Sequence, residues 1–467
     1  MSSPPRSAAN ALLDGPILRT LLSLAWPNAL AFSAGTLVAI AETSYIGRLG
    51  IEALAAMALV FPCVMLTMSM SGAAMGGGVA SAIARALGAG DRDRAENLAT
   101  HALLIAIFFG LVFMLGMLVG GRKLLELLGG QGDVLALAVA YSQVYFGGAV
   151  LTWLVNILAG VLRGTGNMKL PSMMIVNSAI CQIILGGTLG LGLGPVPQFG
   201  MPGVATGSLI TYSINIAIMS WYLFSGRGRI VPRLQGFRMQ WALFADILKV
   251  GAVACLSPLQ NTLTNLTLTH LLAIFGTAIL AAYGIGARLE YVLATIAFSV
   301  GIGSVPMIGV AIGAGLIARA RRIAWTTGLV ALVVVGALAC AVALLPDPWV
   351  RLFTDNAEAH ADSRQFLRAV APFYAFIGLA SAMYFSSQGA GNVLGPVLAQ
   401  TARLLFIVLG GWYLTSQAAS AESFFSLTAA SMMLLGLLSC ASVAFTRWGP
   451  RTTNVKGQLN LANAGDN

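Results

Sequence analysis

The chain has 467 residues, 58% of them hydrophobic and 9% charged, with a mean hydropathy of +0.85. A soluble domain carries about 25% charged residues, which excludes a water-soluble enzyme or module and leaves an integral membrane protein. The net charge of +10 is no nucleic-acid footprint, because most basic residues gather in short loops on one side of the apolar runs, where they signal orientation.

Uncharged apolar runs of about 20 residues, enough to span a bilayer as a helix, recur from end to end. The alternation of barrel strands is absent, so helices are the spanning element and the fold class is all-α. The polar tail 1–16 lacks the apolar core of a cleavable signal. Twelve spans are predicted at about 17–45, 52–80, 97–121, 133–161, 170–194, 201–224, 243–272, 278–312, 323–345, 366–389, 396–415 and 422–446. The first carries Pro27 and, with no charge between them, Glu42. Proline removes a backbone donor and clashes with the preceding turn, so it can bend a helix. A carboxylate ending such a run is costly to ionise in lipid. Two readings follow: a helix that flexes around a protonatable group, or an interfacial glutamate, since Tyr45, Gly47 and Arg48 come soon after.

A basic linker over 225–242, with Arg227, Arg229, Arg233 and Arg238, divides the chain into lobes 17–224 and 243–446, with a tail at 447–467. Arg6, Arg19, Arg85, Arg92, Arg94, Arg163, Lys169, the linker, Arg319, Arg321, Arg322, Arg447, Arg451 and Lys456 share one side. The positive-inside rule makes that side cytoplasmic. Both termini then lie there, in a multi-pass protein of the inner membrane.

The lobes repeat one pattern. Arg163-Gly164-Thr165-Gly166-Asn167 before Pro171 returns 225 residues later as Gln388-Gly389-Ala390-Gly391-Asn392 before Pro396. Gly88-Ala89-Gly90 returns at the same offset as Gly313-Ala314-Gly315, and Leu54-Ala55-Ala56 returns one residue further on at Leu280-Ala281-Ala282. Two pseudo-symmetric six-helix lobes follow, with a substrate site between them.

The polar residues inside spans are the candidates. Glu290 reads as tied to a partner across the bundle or as an attractor of a cationic substrate; Arg288, two positions away, lies on another face. Asn177, Gln182, Gln260, Asn261 and Asn265 read as cross-helix hydrogen bonders or as cavity lining, with Asn261 and Asn265 sharing a face. Met68, Trp153 and Tyr283 read as packing or as walls of a promiscuous pocket, together with Met65, Met70, Tyr374 and Tyr384. The glycine-rich repeats make tight turns and lack the lysine-serine of a phosphate loop. Cys63, Cys181, Cys255, Cys340 and Cys440 lie in apolar runs, and His101, His270 and His360 are scattered, so neither metal nor cofactor is expected. No nucleophile–base constellation points to an enzyme.

With these residues in hand, the chain resembles the multidrug and toxic compound extrusion (MATE) transporters, over roughly Ile17 to Arg447. The likeness rests on four pieces. Pro27 precedes Glu42 and Tyr45-Ile46-Gly47-Arg48-Leu49-Gly50. The others are Ala84-Arg85-Ala86-Leu87-Gly88-Ala89-Gly90-Asp91, Leu162-Arg163-Gly164-Thr165-Gly166-Asn167, and Ala281-Ala282-Tyr283-Gly284 with Arg288-Leu289-Glu290. The resemblance implies a V-shaped, twelve-helix fold and efflux of organic, often cationic, compounds in exchange for protons or sodium. Proton-coupled members carry a span-five aspartate four residues after an asparagine; here Asn177 matches, but Cys181 stands at the acid position with Gln182 beside it. The sodium branch places acids in spans seven and ten, at about Asn261 and near Gly378 here, and neither is acidic.

The expectation is therefore a secondary antiporter, coupled through Glu42 and Asn177 and favouring protons over sodium. It would act as a monomer in the lipid bilayer, on a small organic substrate and not on nucleic acid. The alternatives are an exporter of one specific metabolite or lipid-linked compound, and a membrane receptor or scaffold that keeps the fold without transport.

Overall fold

The computed structural model describes residues 12–233 and 238–449. Arg6, Arg451, Lys456 and most of the two predicted tails lie outside the described residues, as does the middle of the linker. Twelve spans are present if a bent pair counts as one. They are α1 Ile17–Arg48, α2 Ile51–Gly88, α3 Arg92–Leu127, α4 (Gly132–Gly147 with Ala149–Gly164, bent by 49°), α5 Lys169–Leu191, α6 Gly200–Phe224, α7 Trp241–Ala273, α8 Thr277–Gly313, α9 Ile317–Leu344, α10 Ala357–Gly389, α11 Leu394–Ser416 and α12 Ala421–Phe445. No strand occurs among the described residues.

Local chemistry sets the boundaries. Asp91 caps α3 by accepting from the Arg94 amide at 2.8 Å, an N-cap that satisfies an otherwise orphaned donor. Asn356 does the same for α10 through the Ala359 amide at 3.0 Å. That cap starts α10 earlier than hydropathy indicates, because its first turns carry Glu358, Asp362 and Arg364 on a polar face. The break between α7 and α8 falls at Gly276, whose φ of +99° suits glycine;. α1 runs unbroken through Pro27. In α2, Met70–Gly76 forms a π-helical segment, a wider turn found at functional sites.

α1–α6 and α7–α12 form the two lobes, joined most closely at the end that carries the linker. α2 and α8 cross there in a reciprocal contact. A Cβ on Gly88 would overlap the Val310 backbone, and one on Gly313 would overlap the Arg85 carbonyl. Val310 is itself 225 residues after Arg85, so the two contacts are one contact repeated. Ala80, Met168, Ile302, Val305 and Phe385 form an apolar cluster in the shared floor. Toward the opposite end the first half of α2 and the second half of α7 barely touch, and the lobes part.

Candidate functional site

Glu42 lies half-buried on the last turns of α1. Its Oε1 accepts a hydrogen bond from Gln182 Nε2 of α5 at 2.7 Å, a nitrogen shared with the Val204 carbonyl of α6 at 3.2 Å. Tyr141 and Tyr145 of α4 and Tyr212 of α6 lie within electrostatic reach of the carboxyl. No cation acts on it among the described residues. Tyr45, one turn on, donates to the Ile183 carbonyl at 3.2 Å and rests its ring over Gly187, which fixes α1 against α5. Further along the same seam, Asn28 accepts from Ser172 at 3.0 Å.

Asn177 serves a neighbouring network. Its Nδ2 donates to Asn215 Oδ1 at 2.8 Å, and Asn215 donates to Ser178 Oγ and the Met174 carbonyl. Cys181 donates back to Asn177 at 3.6 Å. Cys181 thus turns to Asn177. Gln182, about 100° further round the helix, is the residue that meets Glu42.

The remaining candidates divide between packing and open faces. Trp153 does not line a cavity: it is 0% exposed and packs on Phe109 at 5.2 Å and Phe113 at 5.4 Å. Met68 is half-buried with its sulfur 3.7 Å from Asn156 Nδ2, which also donates to Ser71 of the π-helical segment at 2.9 Å. Tyr283 is buried in the second-lobe core beside Phe366. Gln260 donates to Thr401 of α11 at 2.6 Å. Asn261, Thr262, Asn265 and Thr269 are exposed on one side of α7, while Leu256, Leu259, Leu263 and Leu266 are exposed on another. The amides and the leucines thus lie on different exposed faces of α7. Gly378 is a packing position, since a Cβ there would sit 2.9 Å from the Val335 side chain.

Glu290 is half-buried and feels the charge of Arg403, a residue of mid-α11 that is 1% exposed. Arg403 Nε reaches Ser431 at 3.5 Å, and its Nη2 has no protein partner. Arg288 leaves this centre and lies over the Phe353 ring at 5.0 Å. Arg403 is the functional candidate that the sequence reading passed over, although an arginine amid an apolar span is the same signal that singled out Glu42.

At the linker end polar bonds close the cleft. Ser81 donates to the Gln388 carbonyl at 2.5 Å and the Gly389 carbonyl at 3.1 Å. Gln388 Nε2 donates to the carbonyls of Ala73 and Ala74, at 3.0 and 3.1 Å, in the π-helical segment of α2. Asp246, at the start of α7, holds Arg85 at 2.6 Å and Arg94 at 2.9 Å across the lobes.

The sequence profile of the MatE family matches residues 27–188 and again 253–413. The chain belongs to the MatE family. The two matched stretches fall one in each lobe, as the internal repeat requires. Among curated MatE relatives, a FAD transporter of Shewanella oneidensis is 31% identical over 317 residues, covering 67% of this chain and 69% of that protein. A probable multidrug resistance protein NorM of Thermotoga maritima is 24% identical over 398 residues, covering 82% of each. Among solved structures, a MOP superfamily transporter from Pyrococcus furiosus superposes with a TM-score of 0.85 at 22% identity, covering 95% of this chain and 100% of that one. An outward-facing multidrug resistance MATE transporter gives the same TM-score over 94% of this chain and 99% of its own. The chain is thus a multi-pass membrane transporter of the MatE fold and not an enzyme.

Proposed function

We propose that this MatE chain is a proton-coupled antiporter that exports organic compounds by alternating access. One observation carries the reading: Glu42 sits inside the first lobe with a neutral amide, Gln182, as its hydrogen-bond partner and no cation to fix its charge. Such a carboxyl can exchange a proton without breaking an ion pair. Gaining and losing that charge changes what the surrounding tyrosines and α1 must solvate, the kind of local event that biases a bistable element. Membrane voltage adds about 2.3 kcal/mol per charge per 100 mV. Protons are favoured over sodium because no carboxylate stands at Asn261 or Gly378 to build a second acidic site. The basic linker end is placed in the cytoplasm by the positive-inside rule, with the protein working as a single chain in the inner membrane. Asn261 and Asn265 offer uncharged hydrogen bonds to cargo in the cleft.

The test is uptake of a fluorescent organic cation into proteoliposomes under separate proton and sodium gradients, for the wild type and Glu42→Gln. Proton-driven uptake that Glu42→Gln loses supports the proposal. Sodium-driven uptake, or uptake unchanged in Glu42→Gln, defeats it, and no uptake under either gradient favours a receptor or scaffold. A second reading is export of one defined metabolite. It is favoured by the relative named as a FAD transporter, and efflux of a flavin dinucleotide in preference to the cation would select it.

A further inference from the structure

Arg163 ends α4 and is 8% exposed. Its guanidinium makes no hydrogen bond or ion pair with any described residue, and its Nε is fully enclosed. It lines a cavity of about 10 Å³ in the shared floor, together with Gly77 and Ala80 of α2, Ile302 and Val305 of α8, and Gln388 of α10. Six of its nine lining residues form three pairs at the 225-residue offset, Gly77 with Ile302, Ala80 with Val305, and Arg163 with Gln388, while Gly72, Ala73 and Phe385 complete the lining without a paired counterpart. Both lobes therefore wall the cavity.

The pairs are alike in place and unlike in chemistry. Gln388 satisfies its Nε2 on carbonyls that the π-helical turn of α2 presents. The matching stretch of α8 is regular α-helix, so its carbonyls stay in their own ladder. Arg163 makes no hydrogen bond to a described residue here, not even to the Ile302 carbonyl that Pro306 leaves without a ladder donor. Gln388 Oε1, in the same cavity, also lacks a partner. A buried cation with no counter-charge carries a large desolvation penalty. Arg403, by contrast, has Glu290 nearby.

The cavity holds about one water, too little for an oxyanion. Its far wall, however, belongs to the other lobe, so separation of the lobes at the linker end enlarges it and uncovers the guanidinium. We propose that Arg163 is a loading site for an anionic group, a carboxylate or phosphate, carried by the transported compound and bound when the linker end is open. The guanidinium fork matches such groups in two parallel hydrogen bonds. Closure then shrinks the site and drives the group toward the cleft. This rests on the transport reading and narrows its substrate class from organic compounds in general to those bearing an acidic oxygen group.

Two dyes test it on the full-length purified protein: rhodamine B, with a free carboxylate, and its ethyl ester, with the same ring system. Fluorescence anisotropy gives the Kd of each. The wild type is expected to bind the carboxylate dye about tenfold more tightly, the value of one charge-assisted contact. Arg163→Gln is expected to abolish that preference and leave the ester's Kd unchanged. Equal binding by the wild type, or a preference that survives Arg163→Gln, overturns the inference alone. Binding of neither dye by the wild type overturns the reading as an exporter of organic compounds in general, and this inference with it. If Arg163→Gln does not fold, Arg163→Met decides, since it keeps the stem and removes the charge: a lost preference supports the site, and a retained one overturns it.

Discussion

Replacing Gln388 with leucine removes the two bonds from its amide to Ala73 and Ala74 while nearly preserving volume. Gln388 is 0% exposed, so leucine meets no new solvent, and the Ser81 bonds survive because they end on backbone carbonyls. Each lost bond is worth about 1 kcal/mol net. The two acceptors are left unsatisfied only in the closed arrangement, since water reaches them once the lobes separate. The closed state therefore loses about 2 kcal/mol, and the ratio of closed to open at the linker end falls about thirtyfold at 1.4 kcal/mol per decade. Spin labels at Arg92 and Leu316, on opposite lobes at that end, read the ratio by double electron–electron resonance. Gln388→Leu should move the distance distribution toward longer separations. An unchanged distribution would show that these bonds do not hold the lobes together, and the argument for a polar latch would fail.

Other perturbations give separable outcomes. Asp246→Asn breaks contacts to Arg85 and Arg94 that are partly solvent-exposed; about 1 kcal/mol is expected, read with the same labels as a roughly fivefold shift toward open that disappears in high salt. Gly313→Leu should prevent closure, because its side chain meets the Arg85 carbonyl; transport is abolished while the labels report one open population, and normal turnover would refute the crossing as a contact the cycle needs. Arg403→Met strands Glu290 without its positive neighbour and should lower stability by about 2 kcal/mol. Adding Glu290→Gln should recover most of that loss in a tryptophan-fluorescence melt, and additive losses would show that the two charges do not interact.

Hydropathy made the twelve spans and two lobes legible because lipid leaves only helices for a run of that length. The repeat was legible in glycines because Gly88 and Gly313 mark a backbone contact that tolerates no Cβ. Partners were harder to read. Gln182 rather than Asn177 meets Glu42, a difference of facing that depends on how α5 is rotated against α1. Asp246 looks in sequence like a charge at a helix start, and only the lobe packing brings it to Arg85 and Arg94. Trp153 has the composition of a pocket wall, but the stack with Phe109 places it in the core. Nothing in the sequence marks Met70–Gly76 as π-helical.

The crossing of α2 and α8 also bears on ancestry. Because Gly88 meets Val310 as Gly313 meets Arg85, a half-length chain pairing with its own copy would need a single glycine to make both contacts. Fusion of two such genes would free each copy to diverge without undoing the joint. The matching positions 163 and 388 are where the two copies differ in chemistry: one carries an arginine and the other an amide.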